Sequence, residues 1–212
     1  MLNINLEGKT ALITGAAGQL GRVMCEVLAQ CGADIIIHYN SNAEQARLIE
    51  EKIKFMGRNA VSVQADITSQ DSIERMKKRV SEFKMPDIII NNAVIQYEWK
   101  PLLDQDIKDY YSQFESCVMQ TVYMTKAFAP YMIKQNYGRI IAINTESAAL
   151  AEAGCSAYTS AKRGLDGIVR CLAKELGPSN ITVNQIAPGW TIALQTEKTE
   201  LRSRRLTTPP YL

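Results

Sequence analysis

Little in this chain could hold a metal or a disulfide framework. Histidine occurs once, at His38, and the five cysteines (Cys25, Cys31, Cys117, Cys155 and Cys171) are odd in number, with neither C-x-x-C nor Cys/His ligand spacing. Zinc sites and cystine-stapled scaffolds are therefore excluded, no metal is expected, and free thiols predict a reducing, cytoplasmic setting. Long apolar runs are missing too: none approaches the ~18 residues of a membrane span, and MLNINLEGKT lacks a basic segment followed by an apolar stretch. Charge of one sign is not in excess, with 24 Lys+Arg against 22 Asp+Glu for a formal +2. That balance is too even for the broad basic footprint that phosphate-backbone binding needs, so neither nucleic acid nor membrane is a predicted partner. There is no internal repeat and no Ser/Gly/Pro-rich linker.

What remains is globular in character: 46% hydrophobic and 22% charged residues sit near the averages of folded domains and argue against disorder. A length of 212 residues fits one large domain or a domain with an extension. The only change of composition is the final QTEKTELRSRRLTTPPYL, which predicts a domain over 1–195 and a polar tail over 196–212. Short apolar runs at 9–14, 34–39, 60–65, 87–91, 138–144 and 181–186 alternate with helix-period stretches, the signature of parallel βαβ units. Runs such as Ile88-Ile89-Ile90 suit strands buried on both faces. The predicted fold class is α/β: a doubly wound, mostly parallel, Rossmann-like sheet of about six strands with helices on both faces. Within 155–177, Ala157, Ala161, Leu165, Ile168, Leu172 and Leu176 form one helical stripe that Gly177-Pro178 ends.

Three constellations could carry chemistry. TGAAGQLG, with Gly15, Gly18, Gln19, Leu20 and Gly21, follows the first strand and opens a helix; glycines there permit a tight turn and close approach of a pyrophosphate to N–H groups at a helix start. A plain packing turn is the other reading. The second strand ends His38-Tyr39-Asn40-Ser41-Asn42, with no acid for a ribose 2′-hydroxyl, which favours NADP(H) over NAD(H), although no arginine stands at the turn to clamp a phosphate. An ordinary loop and helix cap would also account for 40–42. Asp66, ahead of Ile67, could accept from an adenine amine or cap the next helix. Third, Tyr158 and Lys162 lie four apart on one helix face, where an ammonium would favour the phenolate; most Tyr/Lys pairs at this spacing are solvated surface pairs.

TGAAGQLG, Asp66, Asn91-Asn92-Ala93, GRIIAINT ending at Thr145, Tyr158-x-x-x-Lys162 and ITVNQIAPGWT resemble, in order and spacing, the short-chain dehydrogenase/reductase family over nearly the whole chain to about residue 195. Similarity is greatest to the compact single-domain branch that includes the 3-oxoacyl-carrier-protein reductases. The resemblance implies that Tyr158 is the general acid/base, that Lys162 lowers its pKa and holds the nicotinamide ribose, and that Thr145, at the family's serine position, polarises a substrate carbonyl. It implies that Asn92 and Ala93 lie along the cofactor, and that Pro188, Gly189 and Thr191 hold the carboxamide.

The chain departs from the family at Gln19 within the glycine spacing, at Val94 in place of a glycine, and at Cys117 where an asparagine serves the proton relay. A thiol cannot replace an amide, so that relay should be impaired or rerouted. The family continues through a further helix and strand beyond the sixth strand, so 181–186 is predicted to be an edge. Bland roles suffice for His38 (packing or capping), for Arg202, Arg204 and Arg205 (a solvated face) and for Met119, Met124 and Met132 (core). Cys155, three residues before Tyr158, could be reactive. The expected function is an NADP(H)-dependent oxidoreductase interconverting a small-molecule ketone or aldehyde and an alcohol. The competing expectation is a catalytically impaired dinucleotide-binding or partner subunit. Helices 104–135 and 155–177 pair subunits in the family, which implies a homodimer or homotetramer.

Overall fold

The computed structural model describes residues 4–189 and 191. Its six strands are β1 (Thr10–Ile13), β2 (Asp34–Tyr39), β3 (Ala60–Gln64), β4 (Ile88–Asn91), β5 (Gly138–Ile143) and β6 (Ile181–Ile186). Each lies where an apolar run predicts it, to within a residue at either end. All pairings are parallel in the order β3-β2-β1-β4-β5-β6, with Leu12 opposite both Ile36 and Ile89. Chain order reverses between β1 and β4, so a crevice opens beyond the carboxyl ends of these two strands, where open α/β sheets bind ligands.

Helices α1 (Gln19–Gln30) and α2 (Ala43–Phe55) cover one face; α3 (Gln70–Phe83), α5 (Gln120–Gln135) and α7 (Ser156–Leu176) cover the other. Because strand side chains alternate, Leu12, Ile36, Ile89 and Ile140 pack into one apolar layer with Phe128 and Leu165, while Ile13, Ile35, Ile37 and Ile90 pack into the second with Cys25, Ile49 and Ile53. Truncating Leu12 or Ile89, both fully buried, to alanine would cost about 2–5 kcal/mol through the cavity it leaves. β6 differs from the central strands. Ile181 and Val183 are buried in the first layer but Thr182 and Asn184 face out, and β6 pairs only with β5 among the described residues. Among the described residues it is an edge, as predicted.

Helix ends follow their residues. Asn42 accepts from Gln45 N–H at 3.1 Å to cap α2, and Ser69 accepts from Ser72 N–H at 3.2 Å to cap α3. Gly18 at the start of α1 offers no side chain, and no acid lies in its first turn. The long helix predicted over 104–135 is α4 (Ile107–Phe114) and α5 joined by a π-helical turn, Glu115–Met119. Periodicity does not mark that turn, because the segments on either side of one wide turn each keep their own helical spacing; such turns occur often at functional sites. A short helix, α6 (Ser147–Leu150), follows β5. The polar tail, with Arg202, Arg204 and Arg205, and most of the loop from residue 190 onward lie outside the described residues.

Candidate active site

The glycine turn lines a crevice of about 590 Å3, together with the end of β2, the start of the loop after β4, and Thr145, Tyr158, Lys162, Pro188, Gly189 and Thr191. Two of its glycines are dictated by space. Gly15 has φ +61°, and a Cβ there would meet Ala93 Cα at 3.0 Å; a Cβ on Gly21 would fall on the Gly15 carbonyl oxygen and 2.7 Å from Ala16 Cα. No side chain caps the start of α1, which opens toward the crevice where a helix N-terminus favours an anion. An uncapped helix start beside a cradle that a Cβ would fill is what a dinucleotide pyrophosphate requires, so the residues fit such a cofactor.

Buried polar groups hold the turn rigid. Asn92 Nδ2 donates to the carbonyls of Thr14 (2.9 Å) and Gly15 (3.3 Å), and Thr14 Oγ1 accepts the N–H groups of Asn92 (2.8 Å) and Ala93 (3.0 Å). Thr14 donates in turn to Gln120 Oε1 at 2.7 Å, while Gln120 Nε2 reaches Ala93 O and, in the π turn, Ser116 O. His38 is more than packing. Its Nδ1 accepts Gly15 N–H at 3.1 Å and its Nε2 lies 3.0 Å from Ala65 O, so the ring clamps the ends of β1, β2 and β3. Burial drives its pKa down to about 4, which keeps the ring neutral and Nδ1 an acceptor.

At the end of β2, Tyr39, Asn40, Ser41 and Asn42 line the crevice with no acidic side chain among them. Asn42 is the cap of α2 as well, so the helix-cap reading of this segment holds for that residue. Asp66 is not the cap of the next helix. Ile67 lines the crevice, Asp66 does not, and its Oδ1 accepts from Thr68 N–H and Oγ1 at 2.9 and 2.7 Å, while Ser69 caps the helix.

Tyr158, Lys162 and Thr145 converge. The Lys162 ammonium is 5.6 Å from the Tyr158 ring centroid and donates to Ile143 O at 2.5 Å. The Tyr158 pKa is raised, against the expectation that Lys162 lowers it. Burial pushes the phenol up, the nearby Cys117 thiol opposes its ionisation further, and the group that favours the phenolate is the Thr145 hydroxyl hydrogen-bonded to it. Lys162 is drawn instead to the Ile143 carbonyl and to Cys117. Its own pKa is pushed down by burial, with Cys117 acting in the opposite sense. Cys117, buried in the π turn, thus stands at Lys162 as the family alignment places it, and burial keeps its thiol protonated.

Two anchoring residues had no signal in the sequence. Gln120 is described above. Asn144 accepts Thr145 N–H at 2.8 Å through Oδ1 and donates to Lys162 O (3.1 Å) and Gln185 Oε1 (2.6 Å), pinning α7 to the end of β5 and so Thr145 to Tyr158. Cys155 is fully buried and tied to Glu152 O and Thr159, a packing role rather than a reactive one. Val94 lines the crevice at the point where the family carries glycine. Asn91 is buried with neither amide atom partnered among the described residues, and nothing in the structure explains it.

A doubly wound sheet with an uncapped glycine turn and a Tyr-Lys-hydroxyl group at the switch point defines a nucleotide-dependent oxidoreductase fold. A profile of the short chain dehydrogenases matches residues 9–203, and the chain belongs to that family of oxidoreductases. It is 30% identical to the 3-oxoacyl-acyl-carrier-protein reductase FabG of Staphylococcus aureus, across 95% of this chain and 83% of that one. Among solved structures it is 30% identical to 7 alpha-hydroxysteroid dehydrogenase complexed with NADH and 7-oxo glycochenodeoxycholic acid, with a TM-score of 0.85 over 95% of this chain and 76% of the other. An NAD+-bound xylitol dehydrogenase is also 30% identical, with a TM-score of 0.82 over 87% and 71% of the two chains. No helix among the described residues is long and apolar enough to cross a membrane.

Proposed function

We propose that this short-chain dehydrogenase interconverts a small-molecule ketone or aldehyde and its alcohol, with Tyr158 as the acid/base. The observation that carries the proposal is the convergence of Tyr158 and Thr145 on one hydroxyl contact at the mouth of the crevice, with Lys162 buried behind them. A nicotinamide cofactor, when bound, supplies and accepts hydride. The protein's own residues do the rest. Thr145 and Tyr158 hold the carbonyl oxygen, and in reduction that oxygen takes the Tyr158 proton as hydride reaches the carbon. Lys162, its ammonium facing the crevice from Ile143 O, would hold ribose hydroxyls. Gly15, Gly18, Gln19, Leu20 and Gly21 would hold the pyrophosphate, Ile67, Asn92 and Ala93 would flank the adenosine and nicotinamide ends, and Pro188, Gly189 and Thr191 would hold the carboxamide.

NADP(H) is proposed over NAD(H) because Tyr39, Asn40 and Ser41 offer no carboxylate to repel a 2′-phosphate. The solved relatives named above hold NADH and NAD+, so the fold itself takes the unphosphorylated form, and the preference rests on the end of β2 alone. A homo-oligomer is proposed as well. Ile107, Tyr111 and Phe114 form an exposed apolar stripe on α4, and Leu103 just before it is 94% exposed. Light scattering in solution would show a dimer or tetramer; a monomer would refute it.

The test is a panel of carbonyls assayed by loss of nicotinamide absorbance with NADPH and NADH in parallel. Oxidation of NADPH with at least one carbonyl is expected. Cofactor binding, seen as nicotinamide fluorescence, without oxidation by any carbonyl would favour instead a non-catalytic binding subunit, the reading that Cys117 and Val94 motivate.

A further inference from the structure

Beside Tyr158 a second, smaller cleft of about 190 Å3 opens between the loop after β4 and the α6 region. Rings form one side of it. Trp99 stacks on Tyr158 with centroids 6.0 Å apart and planes 28° from parallel, and the Tyr97 hydroxyl accepts Tyr158 N–H at 3.0 Å. Acceptors form the other. Glu146 and Glu152 line the cleft, and no ion pair or side-chain hydrogen bond reaches either carboxylate among the described residues.

Gln113 adds an independent sign of a missing donor. It is fully buried and lines the same cleft; its Nε2 is committed to Ile95 O at 2.8 Å, which leaves Oε1 buried with no partner among the described residues. A buried acceptor left unpaired costs free energy that a ligand N–H or O–H would recover. No lysine or arginine lines the cleft among the described residues; the nearby Lys100 is paired with Glu98 at 3.0 Å. Ring faces carry negative quadrupole density, so aromatics and carboxylates act in the same direction: the cleft attracts cations and repels anions.

We infer that the substrate is a cationic carbonyl compound or its alcohol, a ketone or aldehyde that also carries a protonated amine, with the amine seated between Trp99 and the Glu146 and Glu152 carboxylates. The inference rests on the assignment of Tyr158 as the acid/base that faces this cleft. The reaction itself is unchanged: the carbonyl carbon gains hydride, its oxygen gains a proton, and the reduced nicotinamide cofactor is oxidised.

The test uses three ring ketones: the 4-oxopiperidinium cation, its neutral isostere cyclohexanone, and the 4-oxocyclohexanecarboxylate anion. Calorimetric titration into the full-length protein is expected to show the cation binding about tenfold tighter than the neutral ketone and the anion weakest, with added salt narrowing the spread. In the Glu146→Gln/Glu152→Gln variant the cation and neutral ketone should fall within about threefold of each other, and Trp99→Ala should weaken the cation more than the neutral ketone. Equal or tighter binding of the neutral or anionic ketone overturns the inference, as does a preference that survives loss of both carboxylates, or no binding by any of the three. Turnover is scored separately. Cation-selective binding with no cofactor oxidation would leave the cation site standing and refute the reductase assignment, whereas turnover with no charge preference would do the reverse.

Discussion

The larger crevice is walled largely by backbone and by hydrogen-bonded amides, whereas the smaller cleft beside Tyr158 is walled by rings and by carboxylates without partners among the described residues. In the first, Thr14, Asn92 and Gln120 bond to one another and to the turn's backbone, His38 accepts Gly15 N–H, and together they fix a turn whose shape tolerates no Cβ at Gly21. In the second, Gln113 Oε1 and the Glu146 and Glu152 carboxylates have no partner among the described residues. The contrast teaches where stability and specificity are separated in this molecule. The cofactor side spends its polar groups on rigidity, while the substrate side keeps them free for recognition.

That comparison can be broken from the rigid side first. Because His38 must stay neutral to accept Gly15 N–H, and its pKa falls from 6.5 to about 4 on folding, its contribution to stability is complete above pH 6.5 and is lost progressively as pH falls toward 4. The loss amounts to about 3 kcal/mol. Urea unfolding across that range should show it, and His38→Ala should be destabilised by a similar amount at neutral pH while losing most of the pH dependence. An unchanged pH dependence in the variant would detach the clamp from His38.

The catalytic junction comes next. Thr145→Val should lower turnover about a hundredfold with cofactor affinity intact, since it removes one donor to the carbonyl oxygen; steady-state kinetics and fluorescence titration separate the two. Gly21→Ala should do the opposite, weakening cofactor affinity by about tenfold or more because backbone has to move, at a stability cost of about 1–3 kcal/mol. The smallest effect concerns Cys117. If the buried thiol is a poor relay for Lys162, Cys117→Asn should raise turnover by a few fold, about 1 kcal/mol or less in barrier, provided the amide fits the π turn. No gain would mean that protons reach Lys162 by another route.

The sequence made the rigid side easier to read than the free side. Strands β1 to β6 follow from apolar runs, and the glycine turn follows from spacing between a strand and a helix, because both signals are local. The Tyr158–Lys162 pair follows from helical periodicity. Gln120 and Asn144 were illegible for a physical reason: their value depends on which distant backbone atoms the fold brings within hydrogen-bond reach, and an isolated amide in a helix or at a strand end carries no mark of it. The same holds for the second nitrogen of His38. The Lys162 effect on Tyr158 was misjudged because periodicity puts two side chains on one face without saying which carbonyl or thiol competes for the ammonium. Glu146 and Glu152 look like ordinary loop acids until the fold turns them onto the aromatic wall.

The account stands or falls on Tyr158 as proton donor and acceptor. Its phenol, pushed above its ordinary pKa by burial, is protonated at neutral pH. Carbonyl reduction should therefore hold level through neutral pH and decline only in strongly alkaline solution, while alcohol oxidation should climb as pH rises. The decisive measurement is turnover of Tyr158→Phe, in both directions and across pH, alongside its cofactor affinity. The account predicts a fall of about a thousandfold or more with unchanged cofactor binding and no remaining alkaline dependence of oxidation; turnover equal to the parent protein would contradict it.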